Sequence, residues 1–204
     1  MKEIGRLIIV LTLICGVAAA ALSQVYILTK EPIAAAIREE KLKAIRKVLP
    51  EYDNEPDRDV VSIVIGKDES GSDITKDYYI AKKDGEVVGV AFEASSREGY
   101  GGNVGLMVGV GLDGSIYGVE VVTHAETPGL GSKITEEKFL TQFEGRSLDN
   151  TRWSVKKDGG DIDQITGATI SPRAVVSAIY PELENFNKVR DQVLSSDVAS
   201  TGGQ

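Results

Sequence analysis

Residues 78–93 read YYIAKKDGEVVGVAFE, and residues 104–123 read VGLMVGVGLDGSIYGVEVVT. Each stretch is a pair of short runs rich in Val, Ile and Tyr, joined across Asp84-Gly85 in the first and Asp113-Gly114 in the second. β-Branched and aromatic side chains suit a pleated, half-buried surface, and Asp-Gly readily supplies the positive φ that a tight hairpin turn demands. A further run of this kind lies at residues 60–65. Strands are therefore predicted at 60–65, 78–82, 87–93, 104–110 and 116–123. No helical pattern intervenes between them, so they are expected to pair as antiparallel hairpins, which argues against a parallel doubly wound sheet.

Outward from this block the period changes to that of helices. A helix is predicted over 136–143, with another starting near Pro172 and running through Ile179 toward Phe186, where Pro181 should kink or interrupt it. Residues 195–204 are small and polar and are expected to be mobile. Upstream, Ile33, Ile37, Ala44, Ile45, Val48 and Leu49 fall at helical spacing between Pro32, suited to a first turn, and Pro50, which ends the pattern. This reads as an amphipathic helix whose role is to cover the domain core.

Residues 7–28 read LIIVLTLICGVAAAALSQVYIL, with no formal charge over 22 residues. At ~1.5 Å per residue the run reaches roughly 33 Å, enough for a hydrocarbon core of ~30 Å. A cleaved signal peptide is the competing reading, since Lys2 and Arg6 precede the run and Ala19-Ala20-Ala21 would suit a cut. Val25-Tyr26-Ile27-Leu28 carries the apolar run past that point, which favours a retained anchor. The flanking cations do not settle orientation: Lys2 and Arg6 stand before the span, but Lys30, Arg38, Lys41, Lys43, Arg46 and Lys47 follow it. The expected fold class is α+β: a single N-terminal transmembrane helix, then a compact domain of antiparallel β-hairpins flanked by helices. The expected division is an anchor at 1–30, a membrane-proximal helix at 31–50, the main domain at 51–190 and a flexible tail at 191–204.

Composition removes several function classes. The net charge of −8 is wrong for phosphate-neutralising contacts to nucleic acid. Cys15, inside the apolar run, is the one cysteine and His124 the one histidine, so no thiolate or imidazole set exists for zinc or an iron–sulfur cluster. The same scarcity leaves no Ser-His-Asp constellation, and no catalytic or metal-ligating residue is assigned. Redox chemistry here requires an imported organic cofactor. Nor are the glycine segments nucleotide loops as they stand: Val104 occupies the third-glycine position of the 99–105 segment, and residues 129–133 lack Gly-Lys-Ser/Thr.

The segment with chemical content is Asp163-Gln164-Ile165-Thr166-Gly167-Ala168-Thr169, followed by Ile170-Ser171-Pro172-Arg173. Ser171 suits an N-cap and Pro172 an N1 position, placing Thr169 two residues ahead of a helix start. Free amides and the helix dipole favour an anion at such a point by ~0.3–1 kcal/mol per interaction. Gly167 and Ala168 keep the approach uncrowded, and Arg173, one turn in, is available as a counter-charge. A phosphoester on the Thr169 hydroxyl is thus accommodated. A plain glycine turn ahead of a helix accounts for Gly167 and Ser171 but not for Asp163 and Thr169.

These residues resemble the flavinylation motif, Asp-x-x-(Ser/Thr)-Gly-Ala-Thr, of the FMN-binding domain family. Asp163, Thr166, Gly167, Ala168 and Thr169 match each fixed position, at a chance frequency on the order of one in a thousand or less. The stretch His124-Ala125-Glu126-Thr127-Pro128-Gly129-Leu130-Gly131 is similar to a Glu-Thr-Pro-Gly-Leu-Gly loop in family members from ion-translocating electron-transfer complexes, and the Gly-Tyr-Gly-Gly at 99–102 is similar too. Among these the chain most resembles the RnfG family, the G subunits of Rnf complexes, which are ion-translocating ferredoxin:NAD+ oxidoreductases. The NqrC family, the C subunits of Na+-translocating NADH:quinone reductases, is a related but longer alternative. The resemblance implies FMN attached covalently to Thr169 by a dedicated flavin transferase, with Asp163, Thr166, Gly167 and Ala168 as recognition and phosphate-proximal residues. It further implies Glu126, Thr127, Gly129 and Leu130 as a loop against the flavin, partner subunits carrying iron–sulfur clusters and further flavin, and a domain on the outer face of the cytoplasmic membrane. A free-standing FMN-domain reductase and a cofactor-free tethered scaffold are the alternatives.

Overall fold

The computed structural model describes the backbone of residues 2–68 and 70–201, with side chains for residues 3–68 and 70–195. The chain divides into two compact units, Met1–Lys41 and Leu42–Gln204. The first is helical. It belongs to α1, Lys2–Val48, which is long and apolar enough to cross a membrane and buries none of its most apolar stretch against protein. Pro32 lies inside α1 rather than at a helix start. Ile33 and Ile37, expected to help cover the domain core, are 55% and 58% exposed. Of that expected face only Ala44, Ile45, Val48 and Leu49 are buried, all in the second unit.

The second unit is built on a five-stranded antiparallel meander: β1 Val60–Lys67, β2 Asp73–Lys83, β3 Glu86–Ser96, β4 Val104–Val110 and β5 Ile116–Thr123, in that spatial order. Asp84 and Gly85 both take positive φ, 53° and 83°, so the β2–β3 hairpin closes on a two-residue turn whose twist matches that of its strands. The β4–β5 connection is longer. There Gly111 N–H bonds the Ser115 carbonyl at 2.8 Å, and Asp113 Oδ1 accepts from the Ser115 hydroxyl at 2.7 Å.

Alternation along the strands gives the sheet two apolar faces. Ile63, Tyr78, Ile80, Val90, Phe92, Leu106 and Val108 face α3, Ile170–Thr201, which lies against β1, β3 and β4 and contributes Val175, Ile179, Leu183 and Phe186. Tyr78, Phe92 and Phe186 meet there with ring centroids 5.8–6.0 Å apart, a spacing favourable for aromatic pairs. The opposite face presents Tyr79, Ala81, Ala91 and Met107 to Ala44, Ile45, Val48 and Leu49. Small residues here set the approach of the helix end, since a Cβ on Gly109 would overlap the Val48 backbone.

The predicted helix over 136–143 is a four-residue α2, Glu137–Leu140, continued by a 3-10 turn, Thr141–Phe143. Two expectations about the last helix are corrected. α3 does not end at Pro181, because side chains before it (Val176, Ile179) and after it (Leu183, Phe186, Val193) are all buried in one core, which outweighs the roughly 3 kcal/mol a mid-helix proline costs. α3 also runs past Phe186, the end expected for it, to Thr201, so residues 191–201 of the expected tail are helical; residues 202–204 lie outside the described residues.

Candidate functional site

The segment preceding α3 is tied to the rest of the domain through its backbone. Val155 pairs with Ile162, and the Asp163 amide donates to Gln142 Oε1 at 2.6 Å. A turn follows over residues 165–168, closed by Ala168 N–H to the Ile165 carbonyl at 3.0 Å, with Gly167 at φ 83° in the position that requires it. The turn delivers Thr169 to the head of α3. The Thr169 carbonyl accepts the Arg173 amide at 3.4 Å, the first bond of the helix, so Thr169 itself occupies the N-cap position.

The expected cap is thereby corrected. Ser171, predicted as N-cap, is the second helical residue, and Pro172 is the third. The Ser171 hydroxyl turns away from the helix end and donates to Glu126 Oε2 at 2.6 Å. Pro172 has no N–H to cap, and the Thr169 hydroxyl has no hydrogen-bond partner among the described residues. The amides of Ile170 and Ser171, which no intrahelical carbonyl can satisfy, are left at the head of the helix. Arg173 is not a counter-charge at this point: its guanidinium holds Asp158 through two bonds of 2.7 Å. That pairing keeps the Asp158 carboxyl below the usual aspartate range.

Two further loops meet this helix end. In residues 124–131 a turn at Pro128-Gly129, with Gly129 at φ 73°, is closed by Leu130 N–H to the Thr127 carbonyl at 3.2 Å. His124 has a structural part here, since its Nδ1 accepts the Glu126 amide at 3.2 Å. The 99–102 loop packs so closely on it that a Cβ on Gly101 would overlap the Ala125 carbonyl. Glu126 is 5% exposed, the one buried charged residue among the described residues.

Together these segments enclose an open cavity of about 330 Å³ lined by Tyr100, Glu126, Thr127, Leu130, Gly131, Gly167, Ala168, Thr169, Ile170 and Ser171. Thr169, Gly167, Ala168, Glu126, Thr127 and Leu130 are thus brought into one site from two stretches 36 or more residues apart in sequence. Asp163, Thr166 and Gly129 do not line it. Asp163 is exposed and pairs with Lys156 Nζ at 2.7 Å, Thr166 is an exposed turn residue, and Gly129 shapes the turn beneath Leu130. Tyr100, Gly131, Ile170 and Ser171 complete the lining, and sequence reasoning does not single them out as site residues. The available signal for Tyr100 is its place in the Gly-Tyr-Gly-Gly segment. No Lys or Arg lines the cavity, so an anion at Thr169 depends on helix amides and dipole. Tyr100, Leu130 and Ile170, 71%, 47% and 43% exposed, offer apolar surface around the same opening.

The comparisons with known proteins bear on this site directly. Residues 99–181, which contain every part of it, match the family model of the FMN-binding domain. The chain is 38% identical to the G subunit of the ion-translocating oxidoreductase complex of Shewanella baltica, over 96% of its own length and 93% of the relative's. It is 39% identical to the protein of the same name from Pseudomonas aeruginosa, over 96% and 94%. Among solved structures, the fold is shared with the C subunit of the Na+-translocating NADH-quinone reductase from Parabacteroides distasonis (TM-score 0.53, 19% identity, 74% of this chain and 83% of that one). It is also shared with NqrC of Shewanella oneidensis (TM-score 0.52, 22% identity, 70% and 75%). With a cavity built from the matched segment, a helix end open to an anion, and identity to these relatives along nearly the whole chain, the protein belongs to the RnfG family, the G subunits of ion-translocating oxidoreductase complexes.

Proposed function

We infer that the chain carries FMN covalently on Thr169 and serves as an electron-transfer subunit of an Rnf-type ion-translocating ferredoxin:NAD+ oxidoreductase. The observation that carries this reading is the unpartnered Thr169 hydroxyl at the head of α3, in the cavity shared with the 124–131 loop. The residues fit the group. A phosphate on Thr169 would lie beside the Ile170 and Ser171 amides, and Tyr100, Leu130 and Ile170 provide apolar surface for a flavin ring. Bound FMN supplies reversible acceptance and donation of electrons. The protein's part is to fix the tether, cover part of the ring and limit water around it.

Attachment is a phosphoryl-group transfer from FAD by a flavin transferase. The Thr169 oxygen bonds to the flavin-side phosphorus, the bond from that phosphorus to the bridging oxygen breaks, AMP leaves and the hydroxyl proton is lost. Asp163, which is exposed, is assigned to transferase recognition together with Thr166, while Gly167 and Ala168 keep the backbone open beside Thr169. Glu126, Thr127, Gly129 and Leu130 form the loop against the flavin. Residues 1–30 act as a retained single-span anchor and 51–190 as the flavin domain, on the extracytoplasmic side of the cytoplasmic membrane. There a covalent link prevents loss of a cofactor that no local pool would replace. Donor and acceptor are iron–sulfur and flavin groups of neighbouring subunits. Ion movement belongs to those subunits, since the 7–28 span carries no charged residue.

Intact-mass analysis of protein isolated from its native membrane tests the reading. The expected result is a gain of one FMN less one water, retained after denaturation, absent in Thr169→Val and retained in Thr169→Ser. An unmodified Thr169 peptide would leave only a tethered β-rich domain.

A further inference from the structure

A buried carboxylate is an unexpected neighbour for a site meant to receive an anion. Glu126 is 5% exposed and lines the same cavity as Thr169. Burying a charge is costly unless it is hydrogen-bonded. Glu126 Oε2 accepts the Ser171 hydroxyl at 2.6 Å, and Oε1 faces the Gly101 amide at 3.4 Å. The surrounding backbone leaves room for this arrangement and little else. A Cβ on Gly99 would lie 2.7 Å from Oε1, and one on Gly131 would lie 2.5 Å from Ser171 Oγ.

The effect of the carboxylate follows from the place of Ser171 in α3. A hydrogen bond from the first turn of a helix to a buried charged group elsewhere in the fold fixes how that turn is oriented. Here Glu126 draws the Ser171 hydroxyl off to the side. Pro172 contributes no N–H, so the amides of Ile170 and Ser171 remain open beside Thr169. The same carboxylate reaches the 99–102 loop, whose Tyr100 also lines the cavity.

We propose that Glu126 is a positioning residue for the phosphoester on Thr169. By holding Ser171 and the 99–102 loop, it fixes the first turn of α3 so that Thr169 and the two open amides face the flavin phosphate. This rests on the assignment of Thr169 as the attachment residue. Because Glu126 acts on the helix end through Ser171, removing either partner releases the first turn of α3.

The test uses the full-length chain in detergent, with FAD and a flavin transferase, following adduct formation by covalent flavin fluorescence. Wild type and Thr169→Val are the reference pair. Ser171→Ala and Glu126→Gln are the probes, with their double variant. Alanine is well tolerated in a helix. Glutamine keeps the volume, but with its oxygen on the Gly101 amide it turns a donor NH2 toward Ser171, so the Ser171 hydroxyl loses its charged acceptor. Each single variant should lower kcat for labelling about tenfold, with KM for the acceptor protein unchanged. The double variant should be no slower than the slower single one, and the visible circular dichroism of attached flavin should change alike in both. Wild-type rates in both singles, losses that multiply in the double, or losses that merely track unfolding in near-UV circular dichroism would each overturn the proposal. If wild type takes no label, the Thr169 assignment falls with it. If wild type labels, Thr169→Val does not, and the probes match wild type, the role of Glu126 alone falls.

Discussion

Gly109 of β4 lies flat against Val48 at the end of α1, with no space between them for a methyl group. A side chain at Gly109 would meet the Val48 carbonyl oxygen and carbon, which are backbone atoms and cannot swing aside. Gly118 on β5 is looser, its Cβ position 3.2 Å from Val48 Cα. Gly109→Ala is therefore expected to destabilise the domain by roughly 1–3 kcal/mol. Gly118→Ala should cost distinctly less. Chemical denaturation of the two variants checks the ranking, and equal effects would mean that the helix end does not bear on the sheet as described.

Tyr78 is 1% exposed in the ring cluster with Phe92 and Phe186, and its buried hydroxyl has no hydrogen-bond partner among the described residues. Burial, with a smaller contribution from the Glu182 charge, raises its ionisation well above the ordinary tyrosine value. A buried polar group without a partner is a liability of about 1–3 kcal/mol. Tyr78→Phe should leave stability unchanged or raise it, by up to about 1 kcal/mol, in a denaturation curve. A clear loss would reveal a partner for the hydroxyl.

Asp158 and Asp161 are held below the usual aspartate range, chiefly by side-chain hydrogen bonds from Arg173 and Arg152 respectively. Their ionisation is easier in the folded than in the unfolded chain, so their stabilisation is complete above an ordinary aspartate value of about 4. It is lost as pH falls through the depressed folded values. Both pairs sit at the surface, so the effect is small and salt-screened. Asp158→Asn should flatten the acid limb of a plot of Tm against pH below the ordinary aspartate range, with little change at neutral pH. An acid limb identical to that of wild type would count against the pairing.

Asp163 and Lys156 form an exposed ion pair of 2.7 Å in the segment that leads to Thr169. If Asp163 is read by the transferase rather than by the fold, Asp163→Asn should slow flavin attachment by tenfold or more, while Lys156→Ala, which breaks only the internal pair, should not. Attachment rates on the two variants decide this. Equal slowing would assign Asp163 to holding its own loop.

Which features were legible in the sequence follows from how local their causes are. The β2–β3 hairpin was legible because Asp84-Gly85 needs nothing beyond itself to turn the chain. The two apolar faces of the sheet were not read from the strands, because what covers each face, α3 on one side and the end of α1 on the other, comes from distant parts of the chain. The Asp163–Thr169 motif was legible as a pattern, and the structure places Gly167, Ala168 and Thr169 in a cavity with Glu126, Thr127 and Leu130. The start of α3 was misplaced by one to two residues because Ser171 has the chemistry of a cap. Its hydroxyl is instead taken by Glu126, 45 positions away, a partner no local pattern can reveal. Arg173 was misread for the same reason, since Asp158 comes to it through a loop. Pro181 stood as a breaker until the core on both sides of it was known.

Thr169 provides the opening carbonyl of the helix that also supplies Ala174, Val175, Ile179, Leu183 and Phe186 to the interior. Elements of this kind open only when the whole domain opens, and their amides exchange with solvent most slowly. Any group esterified at Thr169 would therefore swivel about its own bonds while its pivot stayed still. A redox partner arriving at the membrane would meet that pivot in one place on every encounter, with no loop left to settle before an electron could hop.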